Sequence, residues 1–381
     1  MKAADTLVVK VGSRVLTRAD GALDDAQVAA IAGQLAAAAA EGRRVALVSS
    51  GAVAAGIGRL GWKKRPTAVA ELQAAAAVGQ SSLMESYHRA LAPYGAPAAQ
   101  LLLTAEDLQD RTRYLNVRNT LWALFQARAL PIINENDTVA VDELQISFGD
   151  NDRLAALVTN LLQAPLLVLL SDVEGVYDGD PSQPASQRLS LVADVEDARR
   201  RLVCDRLADG RIQLSRGGMA SKLRAAGIVA AAGGHVVIAS GRRPGALTAL
   251  LRGEDVGTLI LPEGPAVGAR KRWIGWTAQP AGTLRVDDGA QRALETQGRS
   301  LLAVGVTQVQ GDFAKGDVVA LSDAQGREFA RGLINYNAAE MRLLAGQTTE
   351  RIAELLGHCP YDEAIHRNNL VLGKRGTTDP A

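Results

Sequence analysis

The sequence predicts an α/β fold in which a mostly parallel sheet is sandwiched by helices, followed by a small β-rich domain. In residues 1–255, short β-rich runs alternate with Ala-rich helical stretches. The β-rich runs are mostly apolar without alternation, which is typical of parallel strands that helices cover on both faces. The alternation of β-rich runs and helical stretches ends near Gly253–Gly268, a segment rich in Gly and Pro. A chain of 381 residues is also longer than a domain with a single hydrophobic core usually is.

The first domain is predicted to contain six strands and five long helices. The strands are Thr6–Val11, Arg44–Val48, Ala98–Leu103, Pro131–Ile133, Leu166–Leu170 and His235–Ile238. The helices are Asp24–Glu41, Ala68–Leu91, Tyr114–Arg128, Asp152–Leu162 and Met219–Ala232. Helical crossovers bring the C-terminal ends of parallel strands to one edge, where open α/β sheets bind ligands.

Four segments follow from these patterns: a first domain over 1–255, a linker over 256–269, a β-rich second domain over 270–368 and a polar tail over 369–381. In the second domain we expect strands over Thr283–Val286, Ser300–Val306, Asp317–Leu321 and Glu328–Leu333, and helices over Gly289–Gln297 and Ala338–Leu343.

Composition excludes several classes of protein. Lys and Arg (42) balance Asp and Glu (41), so no bulk field attracts nucleic acid or anionic membrane. No apolar run reaches the roughly 18 residues of a membrane span, and the N-terminal run is too short for a signal peptide. We therefore expect a cytoplasmic protein. The sequence contains none of the motifs GxxxxGK[ST], HExxH and GxSxG. It therefore lacks the motifs that P-loop NTPases, metalloproteases and serine hydrolases use for binding and catalysis.

Two strand ends carry residues suited to anion binding. Lys10 closes the first strand just before Gly12, and Ser50 and Gly51 follow the second. Small residues at a strand–helix junction let an anion approach backbone N–H groups. A solvated strand-end lysine and a plain N-cap serine fit these positions equally well. The GxGxxG match over 56–61 lies too far past its strand to bind a dinucleotide.

Acid–amide clusters follow the fourth strand. Asn134-Glu135-Asn136-Asp137 comes directly after it, and Gly149-Asp150-Asn151-Asp152 follows a short loop. Such clusters suit an ammonium group or a Mg²⁺ shell, although surface turns have a similar composition. Ser171 and Asp172 follow the fifth strand, and Ser215–Lys222 opens a helix with a glycine pair. Two lysines, glycine-lined helix starts and acidic loops indicate phosphoryl transfer.

The order of these motifs resembles the glutamate 5-kinases of the amino acid kinase family, along essentially the whole chain. The matching motifs are Val9–Ser13, Ser49–Ala52, Val78–Gln80, Tyr114–Asn116, Ile133–Asp137, Gly149–Asp152, Asp172–Tyr177 and Gly217–Met219. Arg270–Ile274 and Tyr336-Asn337 resemble the PUA domain that these kinases carry at the C-terminus.

The resemblance implies a transferase that uses ATP and Mg²⁺ to phosphorylate the side-chain carboxylate of L-glutamate, the first step of proline biosynthesis. It implies catalytic roles for Lys10, Lys222 and Asp152, and no metal ligand from the protein. The residues implied to bind glutamate are Ser50, Asp137, Asn151 and Asp150. Those implied to bind ATP are Lys10, Ser171, Asp172, Ser215, Gly217, Gly218, Met219 and Lys222.

Three positions depart from the family pattern. Ser215-Arg216-Gly217 replaces the usual Gly-Thr-Gly, Ser171 replaces a common threonine, and the segment between Asp137 and Asp150 is longer. The resemblance further implies proline as a feedback inhibitor, hand-over of the product to glutamate-5-semialdehyde dehydrogenase, and a homo-oligomer.

The residues themselves account for phosphoryl transfer to a carboxylate, independently of the family resemblance. A side-chain carboxylate with a pKa near ~4.3 is ionised at neutral pH and needs no general base. The reaction needs charge neutralisation, which two lysines, Mg²⁺ and helix N-termini supply. A reaction without a general base needs no catalytic histidine, which agrees with the scattered positions of the four histidines in the sequence.

Two other interpretations stay open. One is a related kinase that acts on aspartate, acetylglutamate, carbamate or a nucleotide, although such relatives usually lack a PUA-like tail. The other is an RNA-binding protein that uses the PUA-like domain. Residues 270–381 hold 14 Lys or Arg and 13 Asp or Glu, and a net charge of +1 is thin support for RNA affinity.

Overall fold

The computed structural model divides the chain into two compact units, Met1–Ala266 and Val267–Ala381. It describes residues 3–18, 21–139, 151–179, 181, 183, 185–200, 218–357 and 361–373. Each unit has its own apolar core.

The first unit is built on an eight-stranded sheet with the order β3-β4-β2-β1-β5-β7-β8-β6. All neighbouring strands pair in parallel except β7 and β8. The strands are β1 Thr6–Val11, β2 Arg44–Ser49, β3 Ala98–Leu103, β4 Leu130–Glu135, β5 Leu166–Ser171, β6 Leu191–Val192, β7 His235–Ser240 and β8 Thr258–Ile260. The predicted parallel α/β fold is confirmed, and all six predicted strands lie in this sheet.

Nine labelled helices accompany the sheet among the described residues. They are α1 Ser13–Leu16, α2 Asp25–Ala40, α3 Ala52–Arg59, α4 Val69–Leu91, α5 Ala105–Gln109, α6 Arg111–Gln126, α7 Asn151–Leu162, α8 Met219–Ala231 and α9 Ala246–Arg252, and residues 195–200 are also helical. Helix α6 begins three residues before its predicted start because the Asp110 carboxylate accepts from the Arg113 N–H at 2.7 Å and caps the helix.

The second unit contains a five-stranded sheet with the order β10-β9-β11-β12-β13. Its elements are α10 Ala269–Arg272, β9 Gly282–Val286, α11 Asp288–Gln297, β10 Val306–Gly311, β11 Val318–Ser322, β12 Glu328–Leu333, α12 Ala338–Leu344, α13 Ile352–Leu356 and β13 Leu370–Leu372. Strands β9 and β11 pair in parallel and the others antiparallel. This confirms the predicted β-rich second domain.

The structure corrects three boundaries. The segment expected to be a linker, 256–269, contains β8, which pairs with β7 and β6, so the first unit extends to Ala266. The segment expected to be a tail, 369–381, contains β13, which pairs with β12. The strand predicted over Ser300–Val306 is wrong, because Ala303–Gly305 forms a 3₁₀ turn and the strand begins only at Val306.

Candidate active site

The C-terminal ends of the central parallel strands gather the polar residues of the first unit. Lys10 lies near the end of β1, Ser49 ends β2, Glu135 ends β4 and Ser171 ends β5. The apolar residues before them are almost wholly buried, so the polarity of each strand changes at this edge. Ser50 is tied to the neighbouring strand, since its N–H donates to the carbonyl of Val11 at 3.1 Å.

Two lysines from different elements converge on one buried carboxylate. The Lys10 ammonium lies 2.7 Å from Oδ1 of Asp152, and the Lys222 ammonium lies 3.5 Å from Oδ2. All three side chains are buried, with 8% or less of each exposed. We call these residues the Lys–Asp–Lys cluster. The Ser221 hydroxyl completes its surroundings by donating to Oδ2 of Asp152 at 2.8 Å.

The cluster is electrostatically unusual because it holds three charges away from water. Burial alone would raise the pKa of Asp152, but Lys10 and Lys222 outweigh it and hold that pKa below its usual value. Burial lowers the pKa of Lys222, and although Asp152 opposes this, the nearby Lys10 adds to it. Two lysines and one aspartate give the cluster a formal net charge of +1, which suits an anion arriving at this edge.

A second group of side chains forms a hydrogen-bonded row of amides beside Ser50. The Asn151 Nδ2 donates to Oγ of Ser50 at 3.1 Å and to Oδ1 of Asn134 at 3.0 Å. The Asn134 Nδ2 in turn donates to Oε1 of Gln80 at 2.8 Å. Among the described residues, Nε2 of Gln80 and Oδ1 of Asn151 are buried without a hydrogen-bond partner. A ligand with both an acceptor and a donor would satisfy these two atoms.

Gln80 reaches this row because α3 and α4 pack at very short range. A Cβ at Gly79 would lie 1.8 Å from the carbonyl oxygen of Ala52, and a Cβ at Gly56 would lie 1.7 Å from that of Ala75. Only glycine fits at either position. Gly56 therefore belongs to helix packing rather than to a nucleotide-binding loop.

Tyr87, on the same helix, supports the turn that carries Ser50. Its hydroxyl is fully buried and lies 2.9 Å from Oγ of Ser49, which donates to the carbonyl of Ser50 at 3.1 Å. The Asn151 amide also donates to the carbonyl of Ser49 at 3.3 Å. Hydrogen bonds thus hold the Ser49–Ser50 turn from two sides.

Asp137 lies two residues beyond β4 and is 9% exposed. Burial raises its pKa to about 6, and the positive charge of Arg65 acts in the opposite direction. A buried carboxylate with few compensating partners favours a cationic ligand, which would supply the missing charge.

The structure describes only some of the residues that the sequence analysis predicts to bind the nucleotide. Ser171 is buried and its hydroxyl donates to Oδ1 of Asp172 at 3.0 Å. Gly218 caps α8, which begins at Met219. Asp150, Ser215 and Gly217 lie outside the described residues, so their predicted roles remain predictions.

The structure places Lys10, Lys222 and Asp152 in contact with one another, and Asn151 in contact with Ser50. The catalytic and binding roles predicted for these five residues remain predictions. Sequence reasoning did not assign roles to four further residues of the site, Gln80, Asn134, Ser221 and Tyr87. Gln80 and Asn134 lie inside the recognised motifs, so their position was a usable signal. Ser221 lies inside the predicted Ser215–Lys222 segment, but a helical serine is too common to be singled out there, and Tyr87 lies in no recognised motif.

Metal ligation by clustered side chains and membrane-spanning helices are two further features that bear on the kind of site. Within the described ranges, no three His, Cys, Asp or Glu side chains are grouped as a metal site. No helix in the described part of the chain is long and apolar enough to cross a membrane.

Comparison with known proteins identifies the family. The model of the amino acid kinase family matches residues 5–240, and that of the PUA domain matches residues 282–356. The glutamate 5-kinase of Chromohalobacter salexigens is 48% identical over 372 residues, which cover 98% of this chain and 97% of the relative. That of Bordetella pertussis is also 48% identical with the same coverage, and that of Azoarcus sp. is 49% identical over 98% and 99%.

The fold, the Lys–Asp–Lys cluster and these matches define a kinase. The chain belongs to the amino acid kinase family, in its glutamate 5-kinase group, and carries a C-terminal PUA domain.

Proposed function

We propose that this kinase transfers the γ-phosphoryl group of ATP to the side-chain carboxylate of L-glutamate. The products are ADP and L-glutamyl 5-phosphate, and the reaction is the first step of proline biosynthesis. The observation that carries the chemistry is the convergence of Lys10 and Lys222 on Asp152 at 2.7 and 3.5 Å. The choice of glutamate is supported by the names of the relatives at 48–49% identity.

In this mechanism Lys10 and Lys222 stabilise the negative charge that spreads over the transferring phosphoryl group. Asp152 positions both ammonium groups and offsets the cost of burying them. Because the attacking carboxylate is already ionised, no residue of the chain has to remove a proton. Mg²⁺ usually binds through nucleotide phosphates and would neutralise part of the triphosphate charge. The ammonium groups of Lys10 and Lys222 are suitable donors to the phosphate oxygens of such a nucleotide.

At the acceptor end, Asp137 would bind the α-ammonium of glutamate. The row of amides offers a free acceptor, Oδ1 of Asn151, and a free donor, Nε2 of Gln80, among the described residues. An α-amino acid carries one group of each kind, an ammonium and a carboxylate. This match supports an amino acid rather than a nucleotide as the phosphoryl acceptor.

The test is a comparison of acceptors. The full-length chain is incubated with ATP and Mg²⁺ and, in turn, L-glutamate, L-aspartate and N-acetyl-L-glutamate, with hydroxylamine to trap an acyl phosphate. We expect hydroxamate and ADP in equal amounts with glutamate. A faster reaction with aspartate or acetylglutamate would contradict the assignment of the substrate.

The proposal also includes ATP and Mg²⁺ as the nucleotide and metal, proline as a feedback inhibitor, hand-over of the product to glutamate-5-semialdehyde dehydrogenase, a homo-oligomeric state and a cytoplasmic location.

Proline shares the ammonium and α-carboxylate of glutamate but has no side-chain carboxylate to phosphorylate. It would therefore compete at the acceptor end and raise the apparent KM for glutamate. An effect of proline on the maximal rate alone would require a separate site.

RNA binding by the PUA domain is the rival function of a different class. The near-neutral charge of residues 270–381 does not favour it. Filter binding to structured RNA at low and moderate salt separates this function from the kinase activity.

A further inference from the structure

The charges of the candidate site continue beyond the Lys–Asp–Lys cluster to the surface. Asp172 is close enough to Lys222 to oppose the lowering of its pKa by burial. On its other side, Oδ2 of Asp172 lies 3.1 Å from Nη1 of Arg14. Positive and negative side chains thus alternate from Lys10, which is buried, to Arg14, of which 73% is exposed.

The backbone of Arg14 is fixed, although its side chain reaches into solvent. Val15 and Leu16, the next two residues, are wholly buried. The Arg242 guanidinium, from the segment after β7, donates through Nη2 to the carbonyl of Arg14 at 2.5 Å and to that of Thr17 at 2.9 Å. A well-anchored turn therefore holds a largely exposed guanidinium at the edge where phosphate is proposed to bind.

The pair that Arg14 forms with Asp172 does not explain this arrangement by itself. Exposed ion pairs contribute little to folding, and salt screens them. Hydrogen bonds from Arg14 and from Ser171 do outweigh partial burial and hold the pKa of Asp172 below its usual value. Asp172 is thus ionised at neutral pH and can keep the Arg14 side chain directed along the edge.

An arginine at this place suits a polyphosphate better than a single carboxylate. Its planar guanidinium presents several N–H donors in a fork that matches phosphate oxygens, and it stays charged at any physiological pH. A nucleotide polyphosphate carries several negative charges, whereas Asp172 offers one. Arg14 also lies only four residues from Lys10, in the turn that directly continues β1.

We propose that Arg14 is a polyphosphate-binding residue of this kinase, held over the mouth of the site by Asp172 until the nucleotide arrives. Its guanidinium then donates to phosphate oxygens of the nucleotide. Arg14 serves binding of the nucleotide and takes no part in binding the acceptor. This inference rests on the proposed use of ATP, but not on which acceptor receives the phosphoryl group.

The experiment compares Arg14→Gln, Arg14→Lys and the control Arg89→Gln in the full-length chain. Arg89 is a suitable control because it is an exposed arginine, 62% accessible, that forms ion pairs with Asp25 and Glu85 on another part of the surface. Affinities for ATP and ADP are measured by calorimetry without acceptor. KM values for ATP and glutamate are then measured at two salt concentrations.

We expect Arg14→Gln to weaken ATP and ADP binding on the order of tenfold, the loss typical of a charge-assisted hydrogen bond. The KM for glutamate and kcat should stay within about twofold, and the dependence of ATP binding on salt should become weaker. Arg14→Lys should recover part of the affinity, because it keeps the charge but loses the fork. Arg89→Gln should behave as the parent does.

ATP affinity of Arg14→Gln within twofold of the parent would overturn the proposal. So would a parallel loss of ATP affinity, glutamate affinity and thermal stability, because that pattern indicates a structural role. The titrations contain no acceptor, so they remain decisive even if the acceptor proves not to be glutamate. A failure of the proposed kinase reaction would appear instead as the absence of hydroxamate with the parent chain.

Discussion

Lowering the pH should weaken the use of glutamate through one buried carboxylate. Asp137 is 9% exposed, and burial raises its pKa to about 6, with Arg65 opposing the rise. Only the ionised form can pair with the α-ammonium of glutamate. Between pH 5 and 8 that ammonium stays protonated and the side-chain carboxylate of glutamate stays mostly ionised, so Asp137 is the group that titrates.

The size of the effect follows from this pKa. About half of the Asp137 carboxyls are ionised at pH 6 and about one in eleven at pH 5. We therefore expect kcat/KM for glutamate to fall about tenfold between the plateau and pH 5, since this ratio reports ionisation in the free enzyme. The KM for ATP should change little over the same range.

Linkage fixes the sign of the accompanying stability change. The pKa of Asp137 in the folded state, about 6, lies above the ordinary value of 3.8 for an aspartate. The folded state thus binds the proton more tightly than the unfolded state does. The resulting stabilisation is present below about pH 4 and is lost as the pH rises through 6, and a difference of about two units corresponds to about 3 kcal/mol.

Two variants isolate the group responsible. Asp137→Asn should raise the KM for glutamate, remove the acidic limb and leave ATP affinity within a few-fold of the parent. Arg65→Gln removes the charge that lowers this pKa, so it should move the acidic limb to higher pH. The assay is steady-state ADP release at saturating ATP in a buffer of constant ionic strength. An acidic limb that persists in Asp137→Asn would refute the reasoning, and a loss of ATP affinity alone would show that the two subsites are exchanged.

Three further predictions follow from the geometry. Lys10→Met and Lys222→Met should each lower kcat by ~100- to 1000-fold, about 3–4 kcal/mol, while the KM for glutamate changes far less; near-normal kcat would remove that lysine from the chemical step. Tyr87→Phe removes the buried hydrogen bond between Tyr87 and Ser49, so it should cost about 1 kcal/mol in urea unfolding and raise the KM for glutamate, and an unchanged KM would show that the turn needs no such support. A chain that ends at Ala266 should fold and form hydroxamate, because every described residue of the site lies before that point; a soluble truncation with native circular dichroism and no activity would contradict this.

The sequence predicts the fold well where periodicity is strong. Thr6–Val11 and Ala98–Leu103 coincide with observed strands, because short, mostly apolar runs between helices leave few alternatives. Short elements behave differently. The three residues of β8 follow a glycine and lie in a Gly- and Pro-rich segment, and their pairing with β7 and β6 stabilises them as a strand. Local signals cannot predict such a partner.

The site is predictable in so far as it lies at strand ends. Lys10, Ser50 and Ser171 follow from that rule, because the parallel topology itself brings them to one edge. The partners of these residues do not follow from it. Whether Asp152 faces Lys222, or Gln80 reaches Asn134, depends on how helices pack on the sheet, and the contact of Gly79 with Ala52 is one such determinant.

The most direct test of the central claim follows the oxygen that attacks phosphorus. The full-length chain is incubated with ATP and L-glutamate labelled with ¹⁸O only in the side-chain carboxylate. The acyl phosphate then cyclises as the amino group attacks the acyl carbon and expels phosphate together with the bridging oxygen. If this carboxylate is the nucleophile, ³¹P NMR will show inorganic phosphate that carries one ¹⁸O. Unlabelled phosphate released along with ADP would contradict the claim, because it would show that water, and not glutamate, accepts the phosphoryl group.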